Sequence, residues 1–299
     1  MSITRRSRLR VLTAALAATL VLAACGSSNS TSDTTAAPEK SQRIVSLSPT
    51  ATEMLYAIGA GDQVVALDSL STFPAETESK VTKISAYEPS AEAILGFSPD
   101  VVLISNDMNK ITEQLTAANP AIQVWTGAAA TTIADVYKQI TELGELTGHE
   151  DDAAELVASM TDRIAKATEG VTAPMGSSYF YELDNTLYSV TSNTFVGALL
   201  KPFGITNIAD GVEEGNDYPQ LNAEAIVKGN PAVIFLADTK CCATSAAEVA
   251  KRAGWTDIAA VTSGNVVELD DDVASRWGPR VADLVEQFAV AITALNTAK

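Results

Sequence analysis

Two stretches of this chain share one order of apolar and polar positions. Ser90-Ala-Glu92-Ala-Ile94-Leu-Gly-Phe-Ser-Pro99-Asp-Val-Val-Leu-Ile104 returns as Asn222-Ala-Glu224-Ala-Ile226-Val-Lys-Gly-Asn-Pro231-Ala-Val-Ile-Phe-Leu236, at an offset of 132 residues. Ala91, Glu92, Ala93, Ile94, Pro99 and Val101 all recur. Each copy predicts a short helix opening on a Ser or Asn N-cap. A stop before proline follows. The apolar run after it has the look of a strand buried on both faces.

A weaker match precedes each copy. Ile44 to Leu47 runs through Ser48, Pro49 and Thr50 into an apolar helix ending near Gly59, and Leu187 to Thr194 runs into one ending near Gly204. Short strand-like pieces follow, Val64 to Leu67 and Thr206 to Ile208. Each half therefore reads strand, helix, strand, helix, strand. That alternation predicts an open parallel sheet with helices on both faces. Between the halves, apolar residues recur at helical spacing in two runs interrupted at Gly148: Ile133, Val136, Ile140 and Leu143, then Leu156, Val157, Met160 and Ile164. The expected fold is α/β, with two Rossmann-like lobes joined by a long bridging helix. Residues 43–131 form lobe one, 132–171 the bridging helices and 172–299 lobe two. Ligands of open α/β sheets sit beyond the carboxyl ends of the strands, so two facing lobes place two such ends in one cleft.

The first residues follow another rule. Arg5, Arg6, Arg8 and Arg10 precede a short apolar run, Val11 to Leu22, and then Leu22-Ala23-Ala24-Cys25. The run is too short to span a bilayer and has the pattern of a secretory leader over residues 1–24. The closing tetrad resembles the lipobox of bacterial lipoproteins, which implies lipidation of Cys25. Residues 25–42 are rich in Ser, Thr and Ala and read as a flexible tether. The expected location is the outer face of the cell membrane, anchored by lipid and not spanning.

Charge narrows the partners. The leader holds four of the 20 basic residues and none of the 37 acidic ones, leaving the remainder at −21. So acidic a surface argues against nucleic acid. His149 is the sole histidine. It excludes metal sites built from several imidazoles, and its place beside Gly148 reads as a helix end. No resident metal or cofactor is expected. No nucleophile elbow, His-Glu-x-x-His or phosphate loop is present, so no enzymatic activity is expected.

The run Arg43-Ile-Val-Ser-Leu-Ser-Pro-Thr-Ala-Thr-Glu-Met-Leu-Tyr-Ala-Ile-Gly59 resembles the mature start of the helical-backbone substrate-binding proteins. These serve ABC importers for cobalamin, ferric siderophores and haem. The Glu88-Pro-Ser-Ala-Glu-Ala-Ile94 segment and the closing Arg276-Trp-Gly-Pro-Arg280 carry the same resemblance. It implies a rigid bridging helix and a small closure on ligand. It also implies that one exposed glutamate per lobe, here Glu92 and Glu224, docks into arginine pockets of the permease. The local alternative is a carboxylate complementing the positive end of a helix.

Cleft candidates are residues at strand ends: Pro49, Thr50, Tyr87, Asn106 and Trp125 in lobe one. In lobe two they are Tyr181, Phe195, Tyr218, Lys240, Asp272, Arg276 and Trp277. Tyr87 and Tyr218 occupy corresponding places in the repeat and are expected to face each other across a flat ligand. Cobalamin-binding members use aromatics from both lobes with a late acidic residue, which Asp272 matches. Siderophore-binding members set arginines and tyrosines against an anionic chelate, and Arg276 is the one well-placed arginine. The resemblance therefore favours a corrinoid, with a ferric siderophore as the alternative. Haem, or a sensor lipoprotein without transport, ranks below both. Cys241 and Cys242 are adjacent in a chain expected outside the cytoplasm, where thiols oxidise. A vicinal disulfide is expected of them.

Overall fold

The computed structural model describes residues 42–297. Lobe one opens on β1 (Ile44–Leu47), whose four residues are all buried. Helix α1 (Pro49–Ala57) follows at once, because Ser48 accepts a hydrogen bond from the Ala51 N–H and Pro49 sits in the first turn, where a missing N–H costs nothing. Then come β2 (Val64–Leu67), α2 (Ala91–Leu95), β3 (Val101–Ile104), α3 (Ile111–Ala118) and β4 (Gln123–Thr126). Two longer helices, α4 (Ile133–Thr147) and α5 (Glu150–Thr168), lead to lobe two. That lobe comprises β5 (Ser178–Glu182), α6 (Phe195–Leu200), β6 (Thr206–Asn207), α7 (Ala223–Gly229) and β7 (Val233–Leu236). It continues with α8 (Ala246–Val249), α9 (Ala259–Thr262), β8 (Val266–Glu268), α10 (Asp271–Ala274) and α11 (Val281–Thr297).

The two sheets have one topology. Their strand orders are β2-β1-β3-β4 and β6-β5-β7-β8, and every neighbouring pair is parallel. The repeat in the sequence is thus a repeat of the whole lobe. The first strand of lobe two is Ser178–Glu182 and not the Leu187–Thr194 stretch of the weaker match, which makes only an isolated bridge at Tyr188, and each sheet has a fourth strand that the sequence pattern did not reveal. β4 and β8 lie at sheet edges and are only partly buried, so neither shows the continuous apolar run of a central strand.

Helix α4 packs in lobe one, where Val136, Ile140 and Leu143 join Met54 and Leu55 of α1. Helix α5 crosses between the lobes. Ala153, Leu156, Val157 and Met160 lie against the lobe-one core, while Ile164 and Ala167 lie against that of lobe two. Gly148, at φ +73°, turns the chain between the two helices. At Gly144 a Cβ would meet the Ala153 Cβ at 2.6 Å, so only glycine lets them approach this closely. Arg163 of α5 ties the crossing to α11 by donating to both oxygens of Glu286, at 2.9 and 2.8 Å, and to Asp283.

Lobe two has an aromatic core. Tyr179, Tyr181, Phe235 and Phe288 pack edge to face or tilted, the closest centroids 4.8 Å apart. The Tyr181 hydroxyl donates to the Ala274 carbonyl at 3.1 Å and that of Tyr179 accepts from Asn207 at 2.9 Å. This corrects the reading of Tyr181 as a cleft residue. The two tyrosines share a face of β5, and it is the core face.

The α4 N-terminus allows a stability test. The Asp135 carboxylate accepts from the Thr131 and Thr132 N–H groups at 3.0 and 2.8 Å, and from both hydroxyls. Those bonds lower its pKa to about 2. A depressed carboxylate stabilises fully above its unfolded pKa of about 4 and loses that contribution as pH falls towards 2. We expect Asp135→Asn to cost about 1 kcal/mol or less at pH 6, since the site is partly solvated. The gap to the parent should close in acid. Equal urea midpoints for the two proteins at pH 6 would refute the cap.

Candidate functional site

A cavity of about 440 Å³ opens at the carboxyl edge of the lobe-one sheet. Its lobe-one wall comes from the ends of three strands: Leu47, Pro49 and Thr50 at the end of β1, Asp68 and Leu70 after β2, and Ile104, Ser105 and Asn106 at the end of β3. Tyr87 stands at its rim with 66% of its surface exposed. The opposite wall is one segment, with Asp272, Ser275, Arg276 and Trp277 following β8. The Ser105 hydroxyl donates to Ser48 at 2.8 Å, linking the ends of β3 and β1 beneath the floor.

The charged wall is paired throughout. Arg276 donates through Nη1 to Glu53 at 3.0 Å and through Nη2 to Asp272 at 2.6 Å. Nη2 also reaches the Leu70 carbonyl at 3.3 Å. Arg280 donates to both oxygens of Glu53, at 2.8 and 2.6 Å, and its guanidinium lies 4.0 Å above the Phe73 ring. Those bonds raise the Arg280 pKa further. Lys240 spans Asp270 and Asp272, at 2.7 and 2.9 Å. Partial burial works against the Lys240 charge, yet the two carboxylates outweigh it and raise its pKa. Neither oxygen of fully buried Asp68 has a hydrogen-bond partner of good geometry. Burial pushes that carboxyl above the ordinary carboxylate range, against the pull of Ser71 and of the Arg276 charge.

Among the twelve cleft candidates, the cavity gathers Thr50, Tyr87, Asp272, Arg276 and Trp277. Trp277 also packs on the lobe-one core and donates from Nε1 to Gln139 at 3.2 Å. Pro49 and Asn106 line the cavity too.

Trp125 and Tyr218 fall elsewhere. Trp125 lies on edge strand β4, donates to Glu142 of α4 at 3.2 Å and packs on the lobe-one core. Its side chain belongs to the α4 face of the sheet, away from the strand-end cavity. Tyr218, 56% exposed, follows the polar loop Asp210–Asp217 and does not line the cavity. The repeat places the two tyrosines at corresponding points, but the lobe-two wall is made by a later segment.

Phe195 packs against the cores of both lobes, so it sits between them. Two acids were missed. Asp68 had the signal of a polar residue directly after an apolar strand. Glu53 had that of a lone charge inside an apolar helix.

The sulfurs of the adjacent Cys241 and Cys242 lie 2.7 Å apart. Burial, the neighbouring thiol and Asp271 push the Cys241 thiol up to about 12. The pair occupies the turn after β7, where the Lys240 and Cys241 N–H groups donate to the Asp271 carboxylate.

Glu92 and Glu224 are both exposed, each in the first turn of its short helix. Ser90 and Asn222 cap those turns alike, accepting from the N–H three residues on at 3.3 and 2.8 Å. Cys25 lies outside the described residues. Among those residues no group of three or more His, Cys, Asp or Glu side chains is placed to hold a metal ion.

Comparisons with known proteins identify the family. The ABC transporter substrate-binding lipoprotein YvrC of Bacillus subtilis is 33% identical over 84% of this chain and 80% of its own length. A cobalamin-binding protein of Halobacterium salinarum is 32% identical over 84% of this chain and 69% of its own. The solved haem-binding protein RhuT from Roseiflexus superposes with a TM-score of 0.73 at 23% identity, covering 87% of this chain and all of that one. That likeness speaks for the fold alone. The family described as periplasmic binding protein matches residues 44–273, which include both sheets and the start of the charged wall, and the chain belongs to that family.

Proposed function

We propose that this chain is the extracytoplasmic substrate-binding subunit of an ABC importer, and that its cleft takes cobalamin or a related corrinoid. The observation that carries the ligand is the meeting of Tyr87 with the Asp272–Arg276 pair around one cavity. An exposed aromatic face suits a flat macrocycle. Polar groups opposite it suit peripheral amides. The cobalamin-binding relative supports the same choice. A cavity of about 440 Å³ holds one edge of so large a ligand, leaving the rest against the rim. A ferric siderophore is the second reading, favoured by one feature, the Arg276 cation in the cavity wall.

Delivery rests on Glu92 and Glu224, which the repeat sets at the same exposed turn of both lobes. A carboxylate there complements the helix N-terminus, but that role does not require the same residue twice. Docking into arginine pockets of a two-fold permease does. Lipidation at Cys25 would hold the protein beside that permease. No turnover of the ligand belongs to this reading.

Trp277 lines the cavity, so intrinsic fluorescence reports on occupancy. Titration of residues 42–299 with cyanocobalamin and, in parallel, a neutral ferric hydroxamate should show saturable quenching by the corrinoid alone. Saturation by the iron chelate alone would transfer the proposal to the second reading. Tyr87→Ala should weaken corrinoid binding by about tenfold, the usual scale for an aromatic contact residue, while leaving thermal stability unchanged because the ring is exposed. A separate check concerns transport. Glu92→Ala combined with Glu224→Ala should abolish uptake in cells and leave affinity in solution untouched; undiminished uptake would remove the docking role.

A further inference from the structure

Glu53 does not line the cavity, yet it touches the cation that does. It lies within α1 of lobe one with its side chain almost wholly buried, and it holds Arg276 at 3.0 Å and Arg280 at 2.8 and 2.6 Å. Asp272 takes the second Nη of Arg276. Both terminal nitrogens of the one arginine in the cavity wall are therefore committed to carboxylates. The surrounding charges offer no surplus. Lys240 is held by Asp270 and Asp272, while Asp271 takes the backbone N–H groups of Lys240 and Cys241. The cations of this cluster are Arg276, Arg280 and Lys240. The carboxylates are Glu53, Asp270, Asp271 and Asp272, with Asp68 beside them. An anion entering the cavity meets a guanidinium already neutralised, with further carboxylates behind it.

We infer that Glu53 is a specificity-determining residue: by neutralising Arg276 from beneath the wall, it makes the cleft reject anionic ligands and accept neutral ones. The inference deepens the proposed function and rests on its placement of the ligand in this cavity. Distance favours such action. Charges a few ångströms apart in a partly desolvated wall interact far more strongly than in water. A buried carboxylate that meets two arginines also stays where it is when the ligand changes. The close approach of the chain here is part of the device. A Cβ at Gly278 would stand 3.3 Å from the Glu53 carboxylate, so glycine lets the Arg276–Arg280 segment wrap the acid from both sides.

The experiment compares three probes by equilibrium dialysis: cyanocobalamin, a neutral ferric trihydroxamate and a trianionic ferric catecholate. The parent protein should bind the catecholate far more weakly than the better of the neutral probes. Glu53→Gln keeps the shape and removes the charge. It should gain at least roughly tenfold in affinity for the catecholate, the scale of one uncompensated charge at partial screening, and the gain should fade with added salt. Asp272→Asn, at a partly exposed position, tests the same neutralisation should Glu53→Gln fail to fold, and the double variant should gain more than either. A folded variant of either kind with no gain for the catecholate overturns the inference, as does a parent that binds the catecholate as tightly as the neutral probes. Should the parent bind the hydroxamate in place of the corrinoid while the variants gain for the catecholate, the corrinoid reading fails and the role of Glu53 stands.

Discussion

A single buried carboxylate joins the first helix of this protein to its last turns. Glu53 belongs to α1, and the arginines that hold it come from more than 220 residues later in the chain. A carboxylate so deeply buried is costly unless its charge is met and its lone pairs are used. Here the meeting groups belong to the segment that forms the far wall of the cavity. Burying α1 therefore fixes that wall over the ends of β1 and β3. Removing one partner would leave an uncompensated charge inside lobe one, so the arrangement is kept as a unit.

The second constraint is mechanical. Helix α5 is continuous from one core to the other, and Arg163 clamps it to α11. A helix whose two halves are committed to different cores can open the cleft only by bending or by unpacking one side. Helices bend gently unless proline, paired small residues or an inserted group intervenes, and α5 carries none of these at its middle, Ser159 to Ile164. The close seat of α4 on α5 at Gly144 adds stiffness at the lobe-one end. A continuous helix held in both cores limits how far the lobes can hinge.

Much of this was legible in the sequence because the signals were redundant. The 132-residue offset, the Ser and Asn caps and the stops before proline all point to one repeated unit, and both lobes follow it. Central strands β1, β3 and β7 were readable because burial on both faces forces an apolar run, whereas β5, Ser-Tyr-Phe-Tyr-Glu, carries polar groups and the repeat put its strand at Leu187 instead. Edge strands β4 and β8 carry no such demand and were missed. The lobe-one wall was visible because ligands sit at strand ends. Tyr181 was misplaced because alternation along a strand does not say which face is core. Trp125 was misplaced because the end of an edge strand lies beside the sheet's helix face as well as the cleft. Glu53 could be seen as an anomaly in an apolar helix, but its partners lie too far along the chain for spacing to name them.

The repeat also explains why the cleft is asymmetric. Duplicated lobes supply duplicated surfaces, and Glu92 and Glu224 retain the same exposed turn because nothing in the lobe cores depends on them. The cavity walls differ. On one side they use three strand ends of lobe one, and on the other a segment after β8 that the repeat analysis leaves unpaired. The Glu53–Arg276–Arg280 cluster sets that second wall, because two arginines of the closing segment reach α1 and bring Trp277 to the cavity beside Arg276. A ligand without two-fold symmetry needs unlike walls, and here one buried ion cluster makes them so.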